Sequence, residues 1–296
     1  MIETFLGYLQ LEKRYSNKTV ESYKIDILQF FSFINNTYQI DDLLKANHTL
    51  IRTWVVDLVE KENKPSSIKR KISALKTFYN FHLKKGNIAV NPASKINTPK
   101  VPERLPKFVE QQNINELLNE PEKFFKPTFE DVQGKLIIDL LYSTGMRRNE
   151  LINLKWEDVY FSTKQIKVTG KGNKQRLIPI GEKMINTLQD FKQNQTTQLK
   201  DIPVAPYVFL TKDGNQLYPN YVYRLVKTKI GYCSTTEKKS PHVLRHSFAT
   251  HMSNNGAKLN DIKELLGHAS LASTQVYTHN TIEQLKEIYT SAHPKS

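Results

Sequence analysis

Cysteine is nearly absent from the 296-residue sequence, which contains a single one, Cys233. One cysteine excludes an internal disulfide and any zinc site built from several cysteines, so a reducing compartment is the expected environment. Apolar runs of about 18 residues are also missing, and the N-terminus does not combine a basic stretch with an apolar one. These absences predict a cytoplasmic protein without a membrane partner.

Acidic residues are in the minority, because 29 Asp and Glu stand against 43 Lys and Arg, for a formal net charge of +14. A basic excess of this size favours a polyanionic partner, most simply nucleic acid, whose phosphates attract Lys and Arg. A solvated basic surface without such a partner is the alternative. Net charge does not decide between them.

Chemically active side chains are concentrated between residues 242 and 277. His242, Arg245 and His246 are three and four apart, which places them on one face of a predicted helix. An arginine and two imidazoles together suggest an anion site. Zinc is an alternative, but Val243 stands where metalloproteases have a glutamate base, and Arg245 would repel a metal ion. Surface histidines on a basic protein are the simplest alternative, and no metal site is predicted.

The first 98 residues have the periodicity of an all-helical unit. Apolar residues recur three and four apart, which predicts helices near residues 5–9, after Ser16, over residues 50–59, and from Pro65 to a stop at Gly86. The fourth helix has one apolar side, and its other side carries the basic residues Lys64, Lys69, Arg70, Lys71 and Lys76. Such a helix can lie along a DNA groove, although a lysine-rich solvent face gives the same pattern.

The composition changes between residues 91 and 107, where four prolines occur with several basic residues. This pattern predicts an extended, semi-rigid linker. We therefore predict two domains, residues 1–98 and residues 108–296, joined by a linker at residues 99–107.

The second domain contains a paired arginine just after a predicted helix that ends at Gly145. Arg147 and Arg148 begin the next short helix, where a guanidinium can bind a phosphate near the positive helix end. A surface salt bridge is the ordinary alternative for either residue. Glu150, in the same helix, is expected to brace its surroundings.

A β-hairpin is predicted over residues 165–180, because apolar and polar residues alternate on both sides of a Gly-rich turn. Lys171 lies between two glycines, so it is mobile enough to reach a ligand and to protonate a leaving alkoxide. The phosphate-loop pattern of nucleotide-binding proteins is absent. With a short strand expected at residues 207–211 and helices elsewhere, the fold class is mainly α with a small β-sheet in the C-terminal domain.

The sequence contains the strings HVLRHSFATHM and LLGHASLAST, the latter followed by a tyrosine, and the string SNKTVESYKIDILQF near the N-terminus. The first two resemble the C-terminal signature of the tyrosine site-specific recombinases, most closely the Xer recombinases of bacteria, and the third resembles the core-binding domain of that family. The likeness covers essentially the whole chain, with small departures at Ile27, Ser143 and Ser273. It implies a helical core-binding domain, an α+β catalytic domain with a C-terminal exchange helix, and the active-site residues Arg147, Lys171, His242, Arg245, His268 and Tyr277.

The resemblance implies cleavage of double-stranded DNA by Tyr277 through a 3′-phosphotyrosyl intermediate and a Holliday junction, without metal or cofactor. In this scheme Arg147 and Arg245 bind the phosphate, Lys171 protonates the departing 5′ oxygen, and the two histidines assist. The expected DNA contacts are Lys64, Lys69, Arg70, Lys71, Lys76, Arg148, Lys174 and Arg176.

The resemblance also implies a homo- or heterotetramer on DNA through exchange of the C-terminal helix, with a paralogous recombinase and a DNA translocase as further partners. Resolution of chromosome dimers at a dif-like site is favoured, since no arm-binding domain is expected before residue 1. The alternatives are a mobile-element integrase of the same chemistry, a topoisomerase-like nicking-closing enzyme, and a non-catalytic DNA-binding protein. The intact set of six active-site residues argues against the last.

Overall fold

The computed structural model describes residues 1–100, 107–267 and 279–294, without the side chains of Lys171, 279–284 and 286. The chain divides into two compact units, Met1–Arg104 and Leu105–Ser296. Each unit encloses a hydrophobic core of its own. The predicted linker, residues 99–107, lies mostly outside the described residues. Within those residues, no helix has both the length and the apolar character needed to cross a membrane.

Four α-helices build the described part of the first unit, as the apolar periodicity predicted. They are α1 (Ile2–Gly7), α2 (Asn17–Tyr38), α3 (His48–Glu60) and α4 (Pro65–Lys84). Ser16 caps α2 by accepting a hydrogen bond from the backbone amide of Thr19. Pro65 occupies the first turn of α4, where its missing N–H costs no helical hydrogen bond.

The core of the first unit is rich in aromatic rings. Phe30 of α2 packs on Trp54 of α3 with ring centroids 5.0 Å apart, and Phe5 of α1 meets Phe78 of α4 edge to face at 5.3 Å. The hydroxyl of Tyr79, also in α4, donates to the carbonyl of Leu43 at 2.8 Å. All four helices therefore contribute to a single core, and α4 is fixed on its apolar side.

The second unit contains eight helices among the described residues. They are α5 (Gln111–Asn119), α6 (Phe129–Thr144), α7 (Arg148–Ile152), α8 (Glu182–Gln198), α9 (Pro219–Cys233), α10 (Pro241–Asn254), α11 (Leu259–Leu266) and α12 (His279–Ala292). Helix α6 lies at the centre of the core, and its buried Tyr142 hydroxyl makes a 2.8 Å hydrogen bond with His251 Nδ1 of α10.

A three-stranded antiparallel sheet completes this unit, in the order β1 (Val159–Tyr160), β2 (Gln165–Thr169) and β3 (Gln175–Pro179). Strands β2 and β3 form the predicted hairpin, with Ile166 opposite Ile178. The fold class, mainly α with a small sheet in the second unit, is confirmed. The strand expected at residues 207–211 is wrong, because Tyr207 and Leu210 make isolated bridges instead.

Helix α12 packs on its own domain in the single chain. Leu285, Tyr289 and Ala292 are buried in the core of the second unit, and Asn255 Nδ2 donates to the carbonyl of Ala292 at 2.8 Å. Exchange of this helix between protomers, which the resemblance implies, would require the release of these contacts. It therefore stays a prediction.

Candidate active site

Helix α10 presents its functional side chains in two directions. His242 and His246, one turn apart, are exposed, whereas Arg245 turns inward and is 7% exposed. The three residues were predicted to share one face, but the arginine is drawn into the core by hydrogen-bond partners on other elements. Arg245 is thus part of the packing as well as of the candidate site.

Arg245 joins the ends of two helices that are distant in sequence. Its Nη1 donates to the carbonyl of Gly145, after α6, at 2.6 Å, and its Nη2 donates to the carbonyl of Leu266, in the last turn of α11, at 2.7 Å. Burial, with Arg147 and Arg176 nearby, lowers the pKa of Arg245 to about 10, so the group is still protonated at neutral pH. The arginine therefore brings a full positive charge to the point where the ends of α6 and α11 meet.

Gly145 has a backbone conformation that this meeting point requires. Its φ is +58°, in the left-handed region, and a Cβ there would lie 2.7 Å from both Leu266 Cδ2 and Phe248 Cδ1. Glycine avoids both the backbone strain and the collision. The tight turn also determines the position of Arg147, the N-cap of α7, two residues further on.

A carboxylate links Arg147 to a second guanidinium. Glu150 accepts from Arg147 Nη1 at 2.9 Å, and it accepts from Arg176 at 3.1 Å and 2.8 Å, one bond to each oxygen. Burial by itself would raise the pKa of Glu150, but the hydrogen bonds and charge of Arg176, with those of Arg147, outweigh it and lower that pKa. Glu150 is therefore ionised at neutral pH, and it braces the site as the sequence suggested.

Arg176 does not have the surface position expected of a DNA contact. It is 5% exposed, and its Nε donates to the carbonyl of Leu265 at 2.9 Å. The reason is the alternation of β3, where Arg176 shares the inward face with Ile178. The alternation of β3 in the sequence predicts the inward position of Arg176, but it does not predict the buried partner Glu150. We remove Arg176 from the expected DNA contacts.

Lys71 is also misplaced in the expected DNA surface of α4. It is 5% exposed, and its Nζ contacts the carboxylate of the fully buried Asp26 and the amide oxygen of Gln29. Arg70 contacts the same carboxylate but keeps an exposed side chain. Lys71 is three positions after the buried Ile68 and four before the buried Leu75, so it belongs to the packed side of the helix. We remove it from the expected DNA contacts as well.

The other expected DNA contacts are accessible to different degrees. Lys64 and Lys69 of α4 and Lys174 of the hairpin are exposed, and Lys76 is half-buried. Arg148 is half-buried too, and its Nη1 donates to the carbonyl of Pro219 at 3.3 Å, at the start of α9. These five side chains, with Arg70, can reach an external polyanion.

The hairpin turn adjoins the arginine cluster. Its Gly170 amide donates to the carbonyl of Lys174 at 2.8 Å, and a Cβ on Gly170 would lie 3.2 Å from Glu150 Oε1 and 3.9 Å from Arg147 Nη1. The backbone of Lys171 therefore begins next to Arg147, although its side chain is outside the described part of the structure. His268 and Tyr277 also lie outside the described residues.

His242 has several cationic neighbours. Partial desolvation lowers its pKa, as do His246 and Arg148. The imidazole is therefore neutral at pH 7 and can accept a proton or donate one hydrogen bond. In the described part of the chain, no three His, Cys, Asp or Glu side chains are grouped so that they could hold a metal ion. The arrangement suits the binding of an anion.

Comparisons with known proteins identify the family. Residues 107–284 match the phage integrase family, and residues 2–86 match the N-terminal SAM-like domain of phage integrases. The chain is 38% identical to the tyrosine recombinase XerC of Chlorobaculum parvum, over 99% of this chain and 94% of that protein. It is 35% identical to XerC of Anoxybacillus flavithermus, over 100% and 98%.

A solved structure agrees with this fold. The XerH recombinase bound to a palindromic difH substrate, in a post-cleavage complex, superimposes with a TM-score of 0.72 at 21% identity, over 97% of this chain and 83% of that one. The domain matches, the full-length relatives and the shared fold lead to one conclusion: the chain belongs to the phage integrase family and is a site-specific tyrosine recombinase.

Proposed function

We propose that this recombinase cleaves and rejoins duplex DNA through a 3′-phosphotyrosyl link on Tyr277, and that it resolves chromosome dimers at a dif-like site. One observation carries the chemical part. Arg245 donates hydrogen bonds to the carbonyls of Gly145 and Leu266. Gly145 is two residues before Arg147, and Leu266 is two residues before His268. This link supports the proposal that the separate motifs of the sequence contribute to one active site.

Arg147 and Arg245 would bind the two non-bridging oxygens of the scissile phosphate. Each uses some N–H donors on protein partners, and a guanidinium has further donors that can reach a phosphate. Because the donors are held before the substrate arrives, no reorganisation is needed as charge develops. Removing one such donor typically costs about 3 kcal/mol of transition-state stabilisation.

The bond changes balance without an added cofactor. The phenolic oxygen of Tyr277 would form a bond to phosphorus as the bond to the 5′ oxygen breaks, and Lys171 would give that oxygen a proton. His242 and His268 would hold the phosphate and assist transfer of the phenolic proton. The new phosphotyrosyl ester keeps the energy of the broken one, so a 5′ hydroxyl from a second duplex can reverse the step. Strand exchange through a Holliday junction then needs neither ATP nor metal.

The first unit would act as the core-binding domain. In this proposal it covers residues 1–98, the linker covers 99–107, and the catalytic domain covers 108–296. The exposed side of α4 would neutralise DNA phosphates and release counterions. Its expected contacts are Lys64, Lys69, Arg70 and Lys76, to which the catalytic domain adds Arg148 and Lys174.

Assembly on DNA would use exchange of α12 between four protomers, either copies of this chain or copies of it and a paralogue. A lambda integrase tetramer bound to a Holliday junction shares the fold, with a TM-score of 0.67 at 16% identity. The full-length relatives named XerC support the Xer-like part of this proposal. A DNA translocase is a further partner in the proposal.

The experiment is covalent trapping on nicked duplexes, which lose a short fragment after cleavage and so cannot be resealed. One duplex carries the candidate dimer-resolution site of the chromosome that encodes this chain, and a second carries the ends of a neighbouring mobile element. We expect a detergent-resistant protein–DNA adduct at the 3′ phosphate of the first duplex. Adducts on the second duplex alone would instead assign the chain as a mobile-element integrase.

Tyr277→Phe is the matched variant, because it removes the nucleophilic oxygen and keeps the ring. It is expected to bind the first duplex with unchanged affinity and to form no adduct. Persistent adducts in this variant would reject Tyr277 as the nucleophile. Absence of adducts from the wild-type chain on both duplexes would reject the proposed reaction at these sites.

A further inference from the structure

Two guanidinium groups bind successive carbonyls at the end of α11. Arg176 Nε donates to Leu265 at 2.9 Å, and Arg245 Nη2 donates to Leu266 at 2.7 Å. The last carbonyls of a helix have no partner within the helix and carry partial negative charge, so cations stabilise them. The end of α11 is therefore fixed by one group from the hairpin and one from α10.

The same Arg176 side chain reaches the carboxylate that holds Arg147. Its Nη1 and Nη2 donate to the two oxygens of Glu150 at 3.1 Å and 2.8 Å. Glu150 thus divides its charge between two guanidinium groups. Without Arg176, the whole negative charge would act on Arg147 and compete with a bound phosphate for its donors.

Gly267 shows how closely Arg176 approaches the chain that leads to the next motif. Gly267 has a φ of +64°, and a Cβ there would lie 3.0 Å from Arg176 Cδ and 3.3 Å from its Nε. A larger residue would push the arginine away from the helix end. His268 is the next residue, so the backbone enters that motif from a point fixed by Arg176.

We propose that Arg176 is a positioning residue for DNA strand cleavage, which acts through Glu150 on Arg147 and through the Leu265 carbonyl on the end of α11. It does not touch the substrate, and its contribution is to hold the phosphate-binding Arg147 in a fixed position relative to the end of α11. This inference rests on the proposed function. Because Arg176 is buried on the inward face of the hairpin, it should affect the cleavage step and not the affinity for DNA.

Three changes at this position test the role. Arg176→Gln removes the charge, and Arg176→Lys keeps the charge but cannot bind Glu150 through two donors and the Leu265 carbonyl through a third. The double change Arg176→Gln with Glu150→Gln removes both buried charges together. Lys200→Gln is the control, since it removes an exposed positive charge from the turn after α8.

Each variant is assayed for DNA affinity by fluorescence anisotropy and for the single-turnover rate of adduct formation at saturating nicked duplex. We expect Arg176→Gln to react about 100-fold more slowly with unchanged Kd, the loss typical of a small misplacement of reacting groups. Arg176→Lys should be intermediate. The double variant should regain about tenfold over Arg176→Gln, because no unpaired carboxylate then competes for Arg147. Lys200→Gln should match the wild type.

The outcomes are distinct. If the wild-type chain forms adducts and Arg176→Gln forms them at the same rate, this inference is overturned and the proposed function stands. A higher Kd with an unchanged saturated rate would also overturn it, since Arg176 would then be a DNA contact. If Arg176→Gln fails to fold, the rates of Arg176→Lys and the double variant decide, and a double variant that folds but regains no activity overturns the inference. Absence of adducts from the wild-type chain overturns the proposed function and this inference together.

Discussion

Arg245 and Gly145 lie 100 positions apart in the sequence, yet a 2.6 Å hydrogen bond joins the guanidinium of one to the carbonyl of the other. The bond exists because Gly145 adopts a left-handed turn that aims its carbonyl at α10. The two arginines proposed to bind the phosphate are therefore linked through the backbone of this glycine. A change in the turn should affect both.

Gly145→Ala should destabilise the second unit more than alanine at a glycine with open surroundings. Gly145 combines a positive φ with a 2.7 Å approach to Phe248 and Leu266, whereas Gly172 has a φ of +73° and no atom within 4 Å of the added Cβ. We expect a loss of about 3 kcal/mol for Gly145→Ala and about 1 kcal/mol for Gly172→Ala. Urea unfolding measures both. Equal losses would show that Phe248 and Leu266 move away from the added methyl group at no cost in free energy.

Glu150→Gln should make the free energy of unfolding less dependent on pH in acidic solution. The folded-state pKa of Glu150 is lowered from the ordinary value of 4.5, so its ionised form stabilises the fold above that pH. This contribution is lost as the pH falls through the lowered folded-state pKa. Wild-type stability should thus fall more steeply than that of Glu150→Gln below about pH 4.5.

Urea unfolding at a series of acidic pH values tests this prediction. In a Trp54→Phe background, Trp156 fluorescence reports on the second unit, since the chain has two tryptophans. Glu157→Gln is the matched control, because its side chain is 71% exposed, and it should keep the wild-type pH profile. Parallel curves for the wild type and Glu150→Gln would contradict the role of the carboxylate.

His242→Gln should remove a pH limb from the cleavage rate. Desolvation and the neighbouring cations lower the pKa of His242, so the imidazole is neutral above 6.5 and becomes protonated only in more acidic solution. If the neutral form accepts the phenolic proton, the wild-type rate falls as the pH drops below that value. Single-turnover adduct formation across this range measures the limb. The control His246→Gln changes an exposed histidine one turn away and should retain the pH limb. Persistence of the limb in His242→Gln would assign it to another group.

Lys69→Gln and Lys71→Gln should behave differently although both lie on α4 and differ by two positions. The exposed Lys69 is expected to contact a phosphate, so its loss should lower affinity and reduce the salt dependence by about one counterion. The buried Lys71 pairs with Asp26, so its loss should destabilise the first unit by about 3 kcal/mol. Anisotropy titrations at several salt concentrations and urea unfolding separate the two effects. A reduced salt slope in folded Lys71→Gln would restore it as a DNA contact.

Local patterns in the sequence predicted most of the fold. The apolar spacing and caps located α2 at Ser16 and α4 at Pro65, and the alternation around Lys171 located the hairpin. These features depend on a few neighbouring residues, which explains their success. The family resemblance added the six expected active-site residues, which no spacing rule connects.

The sequence misled where a charged residue finds its partner in a distant element. Lys71 was assigned to a DNA surface as part of the basic side of α4, and Arg176 was among the expected DNA contacts of the second domain. Their burial depends on Asp26 and Glu150, which are 45 and 26 positions away. Only the packed structure brings these carboxylates to them. The link between Arg245 and Gly145 was inaccessible for the same reason.

Among the described residues, the two hydrophobic cores are built from separate stretches of the chain, one from residues up to Ile96 and the other from Val109 onward. Each unit therefore buries its own set of apolar side chains. In the proposed function, the basic helix α4 of the first core would contact DNA, and the arginine cluster of the second would bind the scissile phosphate. Selection on target preference and selection on the bond-making step would then act on residues of different cores.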